Sequence, residues 1–267
     1  MIKEAERFER GSVFEGIVSL RAILFGIDNG ISDRKIEKIL YLDKNTQKKA
    51  KEYAWLRHQS ERYGFSLETV SSDVIEQSAV GTSHGGIIIY CSDRSFLPVG
   101  SNEGKRIIEN GKFFVMLDGI EDPYNFGYAL RSLYSQGADG IILTKRNWMT
   151  AAGIVCRSSA GASEMLDMLY LDDEKELKVF KEAKIRIVCA DLRDSVSIYS
   201  SDLSLPLLLV VGGEKRGISR AVLDSSDLNI RINYAREFGA SLSAASAATV
   251  IGAEIQRQNR LFCVSQT

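Results

Sequence analysis

The stretch from Phe113 to Thr144 constrains the fold of this chain more than any other. It opens on an uninterrupted apolar run, Phe113-Phe114-Val115-Met116-Leu117, which reads as a buried strand. Asp118, Gly119, Asp122 and Pro123 then break the strand and turn the chain. Helical spacing follows from about Asn125, carried by Phe126, Leu130, Leu133 and Tyr134, and Gly137 closes it. Ala138 to Thr144 is a second apolar run, so the unit is strand, polar loop, helix, strand. Two strands joined through a helix lie parallel, and ligands of open parallel sheets bind beyond the carboxyl ends of the strands. Asn125 falls just after such an end, and Arg131 follows about two turns further along the helix. On spacing alone, an N-cap asparagine and a surface arginine explain the pair equally well.

The same alternation continues to the C-terminus. Lys145 to Ala152 reads as a loop, Gly153 to Leu169 as a helix, Asp172 to Ala183 as a charged helix and Ile185 to Ala190 as a strand. Leu207 to Val211 is another buried strand, ended by the turn Gly212-Gly213-Glu214 and followed by Gly217. Glycines at a strand end let the backbone approach a ligand closely. The spacing is not that of a dinucleotide fingerprint, which disfavours a nicotinamide-dependent reductase. Asp227 to Tyr234 is the next strand, and Ser241 to Gln258 is a helix rich in small residues, suited to close packing. Alternating strands and helices call for a parallel sheet with both faces covered.

Ahead of this lies a smaller α/β region, residues 1–103. Gly11 to Gly26 has helical spacing, Ile36 to Tyr41 reads as a strand, and Lys44 to Tyr63 as a charged helix. A short strand at Phe65 to Val70, a helical turn at Val74 to Ala79 and the strand Gly86 to Cys91 complete it. Pro98 to Gly111, with glycines at 100, 104 and 111, reads as the hinge into residues 104–267. Basic residues gather at Arg34, Lys35, Lys38, Lys44, Lys48, Lys49, Lys51, Arg57 and Arg62, interleaved with Glu37, Glu52 and Glu61. A solvated helix face accounts for that pattern, and salt-sensitive phosphate contact is the alternative.

A formal net charge of −1 argues against indiscriminate nucleic-acid binding, though a local basic patch is compatible with an RNA enzyme. No apolar run approaches the length of a membrane span, and the charged N-terminus lacks the apolar core of a signal peptide. The four cysteines, Cys91, Cys156, Cys189 and Cys263, stand far apart with no paired spacing. Zinc is disfavoured, free thiols buried at Cys156 and Cys189 are expected, and a reducing cytoplasm fits.

The segment LDGIEDPYNFGYALRSLYSQGADGIILT resembles the first motif of the SpoU/TrmH family of RNA ribose 2′-O-methyltransferases, members of the SPOUT superfamily. Asp122, Pro123, Asn125, Gly127 and Arg131 match its Asp-Pro-x-Asn-x-Gly pattern and following arginine over nearly thirty residues without a gap. VVGGEKRG resembles the family's second motif, Gly-x-Glu-x-x-Gly, and Ile232 matches the Ile of its Ile-Pro-Met strand. Here Asn233 and Tyr234 replace the proline and methionine. The third motif is usually Ser-Leu-Asn-Val-Ser; this chain keeps Ser241 and Leu242, but has Ser243 for the asparagine and Ala245 at the second serine. RSSAGASE (157–164) resembles the family's segment near the nucleic acid and dimer surface, and GTSHGGIIIYC the closing motif of an L30e-like RNA-binding domain. His84 in the latter reads as a structural turn residue rather than a catalytic one.

The resemblance implies an α/β fold: a SPOUT-type parallel sheet with a C-terminal trefoil knot, residues 104–267, preceded by an L30e-like domain, residues 1–103. It implies a methyltransferase that uses S-adenosyl-L-methionine on a ribose 2′-hydroxyl of ribosomal or transfer RNA, working as a cytoplasmic homodimer with no membrane association. Catalytic roles fall on Asn125, Arg131, Glu214 and Ser243, and donor-binding roles on Gly212, Gly213, Ile232 and Leu242. Arginine is a poor base, so phosphate clamping and alkoxide stabilisation suit Arg131 better than proton abstraction. The departures at Asn233, Ser243 and Ala245 motivate an alternative, a noncatalytic RNA-binding relative of the same fold. A nucleotide-binding α/β enzyme of another reaction type is a third, weakened by the glycine pattern.

Overall fold

A computed structural model describes residues 12–144, 151–214 and 216–260. The chain divides into two compact units, Met1–Ser95 with Met149–Met165, and Phe96–Trp148 with Leu166–Thr267. The division falls at Ser95, short of the 103/104 boundary read from the sequence, and residues 149–165 cluster with the first unit instead of the second.

The first unit begins with β1 (Ser12–Glu15), α1 (Gly16–Asp28) and β2 (Ile36–Leu42). It continues through α2 (Asn45–Lys48), α3 (Ala50–Tyr63), β3 (Ser66–Val70), α4 (Ser72–Ser78) and β4 (Ile87–Cys91). Its sheet runs β1-β4-β2-β3, antiparallel except for β2 with β3. The helix expected from Gly11 starts only at Gly16, because Val13 and Phe14 pair with Tyr90 and Ile89 of β4. Gly16, at φ +81°, turns the chain from strand to helix. Phe14, Leu20, Ile23, Ile39, Tyr41, Leu56 and Ile89 form the core.

The second unit opens with β5 (Leu97–Pro98) and α5 (Asn102–Asn110), where the sequence suggested a hinge. Gly104 lies inside that helix, since a Cβ there would stand 2.3 Å from the Pro98 carbonyl oxygen. The glycine permits close packing rather than flexing. The unit then follows β6 (Phe113–Asp118), α6 (Pro123–Ser135) and β7 (Gly140–Leu143), the crossover expected from the sequence. The loop expected at 145–152 lies largely outside the described residues.

Where one helix was expected over 153–169, the structure has α7 (Ala152–Ser158), α8 (Ala162–Met165) and then β8 (Asp167–Tyr170). Ala160 and Gly161, at φ +52° and +93°, break the helix between α7 and α8. A Cβ on Gly161 would come within 2.5 Å of Ala22 on α1, so packing within the first unit dictates the break. A 3-10 turn and α9 (Lys178–Glu182), β9 (Arg186–Ala190), β10 (Val196–Ser197) and β11 (Leu207–Gly212) follow. Last come α10 (Arg220–Leu223), β12 (Leu228–Arg231) and α11 (Ala244–Asn259). The sheet order is β10-β12-β9-β11-β6-β7-β8-β5, and every pairing is parallel. The central strands β6 and β11 are apolar and buried over residues 113–117 and 207–211, as such a sheet requires.

Charged residues of the first unit are partly structural. Arg34, expected on a basic surface, is buried; its Nε donates to Glu164 Oε2 at 2.8 Å and its Nη1 to the Ser92 carbonyl at 2.9 Å. Glu15 is likewise buried, accepting from the Gly81 N–H at 2.9 Å and pairing with Arg157. His84 is a turn residue, with its Nδ1 accepting from the Gly86 N–H at 3.1 Å. Cys91, Cys156 and Cys189 are free and buried, and Cys263 lies outside the described residues. Burial pushes the Cys156 thiol up to about 12 and the Cys189 thiol up to about 11.

Candidate active site

The two central strands end side by side, with Gly212 in register with Asp118. The chain leaving β6 is turned by Gly119 at φ +85° and enters α6 through a cap. Asp122 Oδ1 accepts from the Asn125 N–H at 2.7 Å, and Pro123 fills the first helical position, where a missing N–H costs nothing. The cap is therefore Asp122, and Asn125 sits inside the first turn, its side chain making no hydrogen bond among the described residues.

The glycine turn after β11 is folded onto the end of β6. The Gly213 N–H donates to the Asp118 carbonyl at 2.6 Å, and the Gly217 N–H donates to the Gly213 carbonyl at 2.9 Å. A Cβ on Gly213 would lie 2.2 Å from the Gly119 carbonyl oxygen, and one on Gly212 would lie 2.5 Å from the Gly217 carbonyl carbon. Both glycines are thus required by backbone approach to backbone. The buried Asp118 carboxylate completes the lock, its Oδ2 accepting from the Ser219 N–H at 3.0 Å.

Between the two turns opens a cavity of about 340 Å³, lined by Gly119 to Pro123, Asn125, Gly213, Glu214 and Ala244. That volume lies at the lower end of the range for small-molecule sites. The structure thus brings together Asn125, Gly213 and Glu214 from the expected set. Gly212 stands at the strand end behind them. Arg131 does not line the cavity; it is exposed on α6 and has no hydrogen-bond or ion-pair partner among the described residues. Ser243 also stays outside the lining. It is the N-cap of α11, its Oγ accepting from the Ser246 N–H at 3.2 Å and lying 3.0 Å from Ser246 Oγ. Ile232 and Leu242 are half-buried at the two ends of the loop between β12 and α11. The Leu242 N–H donates to Tyr234 Oη at 3.0 Å, which ties that loop across itself.

Sequence reasoning missed Asp118 as the residue that locks the two turns, although an aspartate followed by glycine at a strand end marks the position. It also missed Ala244, which no local signal singles out. Among the described residues no group of His, Cys, Asp or Glu is placed to hold a metal ion, and no helix is long and apolar enough to cross a membrane.

The model of the SpoU rRNA Methylase family matches residues 112–253, a span containing both turns and α11. The chain belongs to that family. It is 27% identical over 85% of its length to a Bacillus subtilis protein named for the TrmH family of tRNA/rRNA methyltransferases, covering 90% of that relative. A 23S rRNA (guanosine-2′-O-)-methyltransferase of Shewanella oneidensis is 26% identical, with 77% of this chain and 83% of the relative covered. Among solved structures, an AdoMet-bound rRNA methyltransferase from Sinorhizobium meliloti superposes with a TM-score of 0.76 at 21% identity, over 98% of this chain and 92% of the other. The SpoU/TrmH resemblance and the α/β parallel-sheet expectation are both met.

Proposed function

We propose that this protein methylates a ribose 2′-hydroxyl of ribosomal or transfer RNA, with S-adenosyl-L-methionine as donor. The observation that carries this reading is the cavity at the joined ends of β6 and β11, lined by Asn125 and Glu214 in a chain of the SpoU family. The names of the Bacillus and Shewanella relatives support the substrate class, and the AdoMet-bound Sinorhizobium enzyme supports the donor.

The cavity suits the donor chemically. Its lining holds the carboxylates of Glu121, Asp122 and Glu214, a complement to a sulfonium cation bearing an ammonium group. Gly212 and Gly213 keep the backbone low enough for a ligand to lie against it, and Ile232 and Leu242 offer apolar and backbone contacts from the adjoining loop. When bound, S-adenosylmethionine supplies a methyl group already activated for transfer, so the chain's own work is positioning and electrostatics.

Asn125 and Glu214 face the cavity and orient the ribose, with the Glu214 carboxylate accepting a hydrogen bond from the 2′-hydroxyl. Arg131, outside the cavity and unpaired among the described residues, holds a phosphate of the RNA; its guanidinium stays charged and can grip two phosphate oxygens at once. Ser243 contributes by capping α11, which sets the position of Ala244 in the lining. The second unit is the methyltransferase domain and contains the trefoil knot expected of the family. The first, L30e-like unit binds the RNA substrate. The enzyme acts in the cytoplasm, where its buried free thiols persist, and as a homodimer, for which the small-residue helix α11 provides a close-packing face.

One observation favours a second reading. The hydroxyl of Ser243, at the position of the family's asparagine, is taken up by its own helix, which suits a noncatalytic RNA-binding relative. Methyl incorporation from labelled S-adenosylmethionine into separated ribosomal and transfer RNA decides between them. Incorporation that Arg131→Ala reduces by about a hundredfold or more is expected, a loss typical of removing one charge-stabilising donor. Donor binding without transfer to either RNA would establish the noncatalytic reading, and an Arg131→Ala protein with wild-type turnover would sink the role given to Arg131.

A further inference from the structure

The carboxyl edge of the eight-stranded sheet carries exposed aromatic rings that the proposed chemistry does not use. Tyr234 and Phe238 lie on the loop between β12 and α11 and are 43% and 62% exposed. Their rings meet edge to face, with centroids 6.2 Å apart. The hydrogen bond from the Leu242 N–H ties Tyr234 to a point two residues before Ala244, which lines the cavity. The aromatic pair is thereby anchored at the border of the active site. On the neighbouring strand, Ser197 is in register with Arg231, and Tyr199, 62% exposed, follows just beyond it. Arg236 is exposed between Tyr234 and Phe238, and Glu237 beside it is exposed as well.

Large rings left in water mark a surface that something covers. Rings interleaved with arginine suit unpaired nucleotides, because every base offers a face to stack and every nucleotide a phosphate to pair. Strand order sets the lateral offset: β12 is two strands from β11, and neighbouring strands lie about 4.8 Å apart, so the loop carrying the pair leaves the sheet roughly 10 Å to the side of the strand that ends in the glycine turn. That reach suits a nucleotide adjoining the one that reacts.

We propose that Tyr234 and Phe238 form a stacking platform for an unpaired base next to the methylated nucleotide, with Arg236 on its phosphate. The proposal rests on the methyltransferase reading for the source of the RNA. It is tested by fluorescence anisotropy with a short, labelled, single-stranded RNA of mixed sequence, alongside calorimetry with S-adenosylmethionine and sedimentation. Phe238→Ala should weaken RNA binding by about five- to a hundredfold, the loss of one base–aromatic stack, while donor affinity and mass stay unchanged. Phe238→Tyr, which keeps a ring, should restore most of it. Arg236→Ala should lower the slope of log affinity against log salt by about one.

A Phe238→Ala protein that binds the RNA like wild type would overturn the proposal. A change in sedimenting mass would overturn it too, by assigning the patch to a second copy of the chain, and so would equal weakening toward single-stranded and duplex RNA. The underlying reading fails differently. Wild type that binds RNA through Phe238 but transfers no methyl group leaves the platform standing. Wild type that transfers methyl groups with Phe238 irrelevant removes the platform alone.

Discussion

Two arginines, one in each unit, show opposite uses of the same side chain. Arg34 in the first unit is buried against Glu164, donates to the Ser92 carbonyl and lies over the Phe14 ring with its guanidinium carbon 4.7 Å from the centroid. Arg131 in the second unit is exposed on α6 and has no such partner among the described residues. The contrast extends to the acids: Glu15 and Glu164 are buried and paired, whereas Glu214 is exposed at the cavity. A charge removed from water must be paired, so its partners reveal a structural duty. An exposed charge without a partner is available to a ligand.

The contrast is sharpest in stability. Glu164→Ala leaves the Arg34 guanidinium buried and uncompensated, and urea unfolding should show a loss of about 3–5 kcal/mol. Replacing both partners with apolar residues, Arg34→Met with Glu164→Leu, should recover most of that loss. Arg131→Ala should do the reverse, lowering turnover by about a hundredfold or more while unfolding stability stays within about 0.5 kcal/mol of wild type. A large loss of stability on removing Arg131 would erase the distinction between the two arginines.

Ser243 tests the same distinction at a smaller scale. Ser243→Ala should cost about 1 kcal/mol by removing the cap of α11, and Ser243→Asp, another capping residue, should retain that stability. If Ser243→Ala abolishes transfer without any loss of stability, the hydroxyl belongs to the chemistry and not to the helix.

The smallest effect concerns the buried thiols. Cys156 and Cys189 hold their protons up to about 12 and about 11 when folded, above the ordinary value of 9.0. The unfolded chain loses those protons first, so stability should fall as pH rises from about 9 through this window. Iodoacetamide should label neither residue in the native protein at pH 8 and both after denaturation. Rapid labelling of the native protein would mean that these sites open to solvent.

The residues from Phe113 to Thr144 settle their own local structure, because an apolar run, a turn chemistry and a helical spacing agree over one continuous segment. The aspartate that caps α6, the proline at its first position and Gly137 at its end are all local signals. Continuous apolar runs likewise mark β6 and β11 as buried strands, and the motifs attached to them name Asn125, Gly213 and Glu214 as neighbours before any fold is known. Elsewhere short segments read ambiguously: Ser12–Glu15 has helical spacing but becomes a strand through pairing with β4, and the glycines at 100, 104 and 111 suggest a hinge where α5 packs closely. Arg34 and Ser243 read as surface and site residues, yet one finds Glu164 far along the chain and the other caps its own helix. Local sequence carries propensities and turn chemistry, which act over a few residues. Burial, long-range pairing and the approach of one backbone to another depend on segments distant in sequence, and these only the tertiary structure decides.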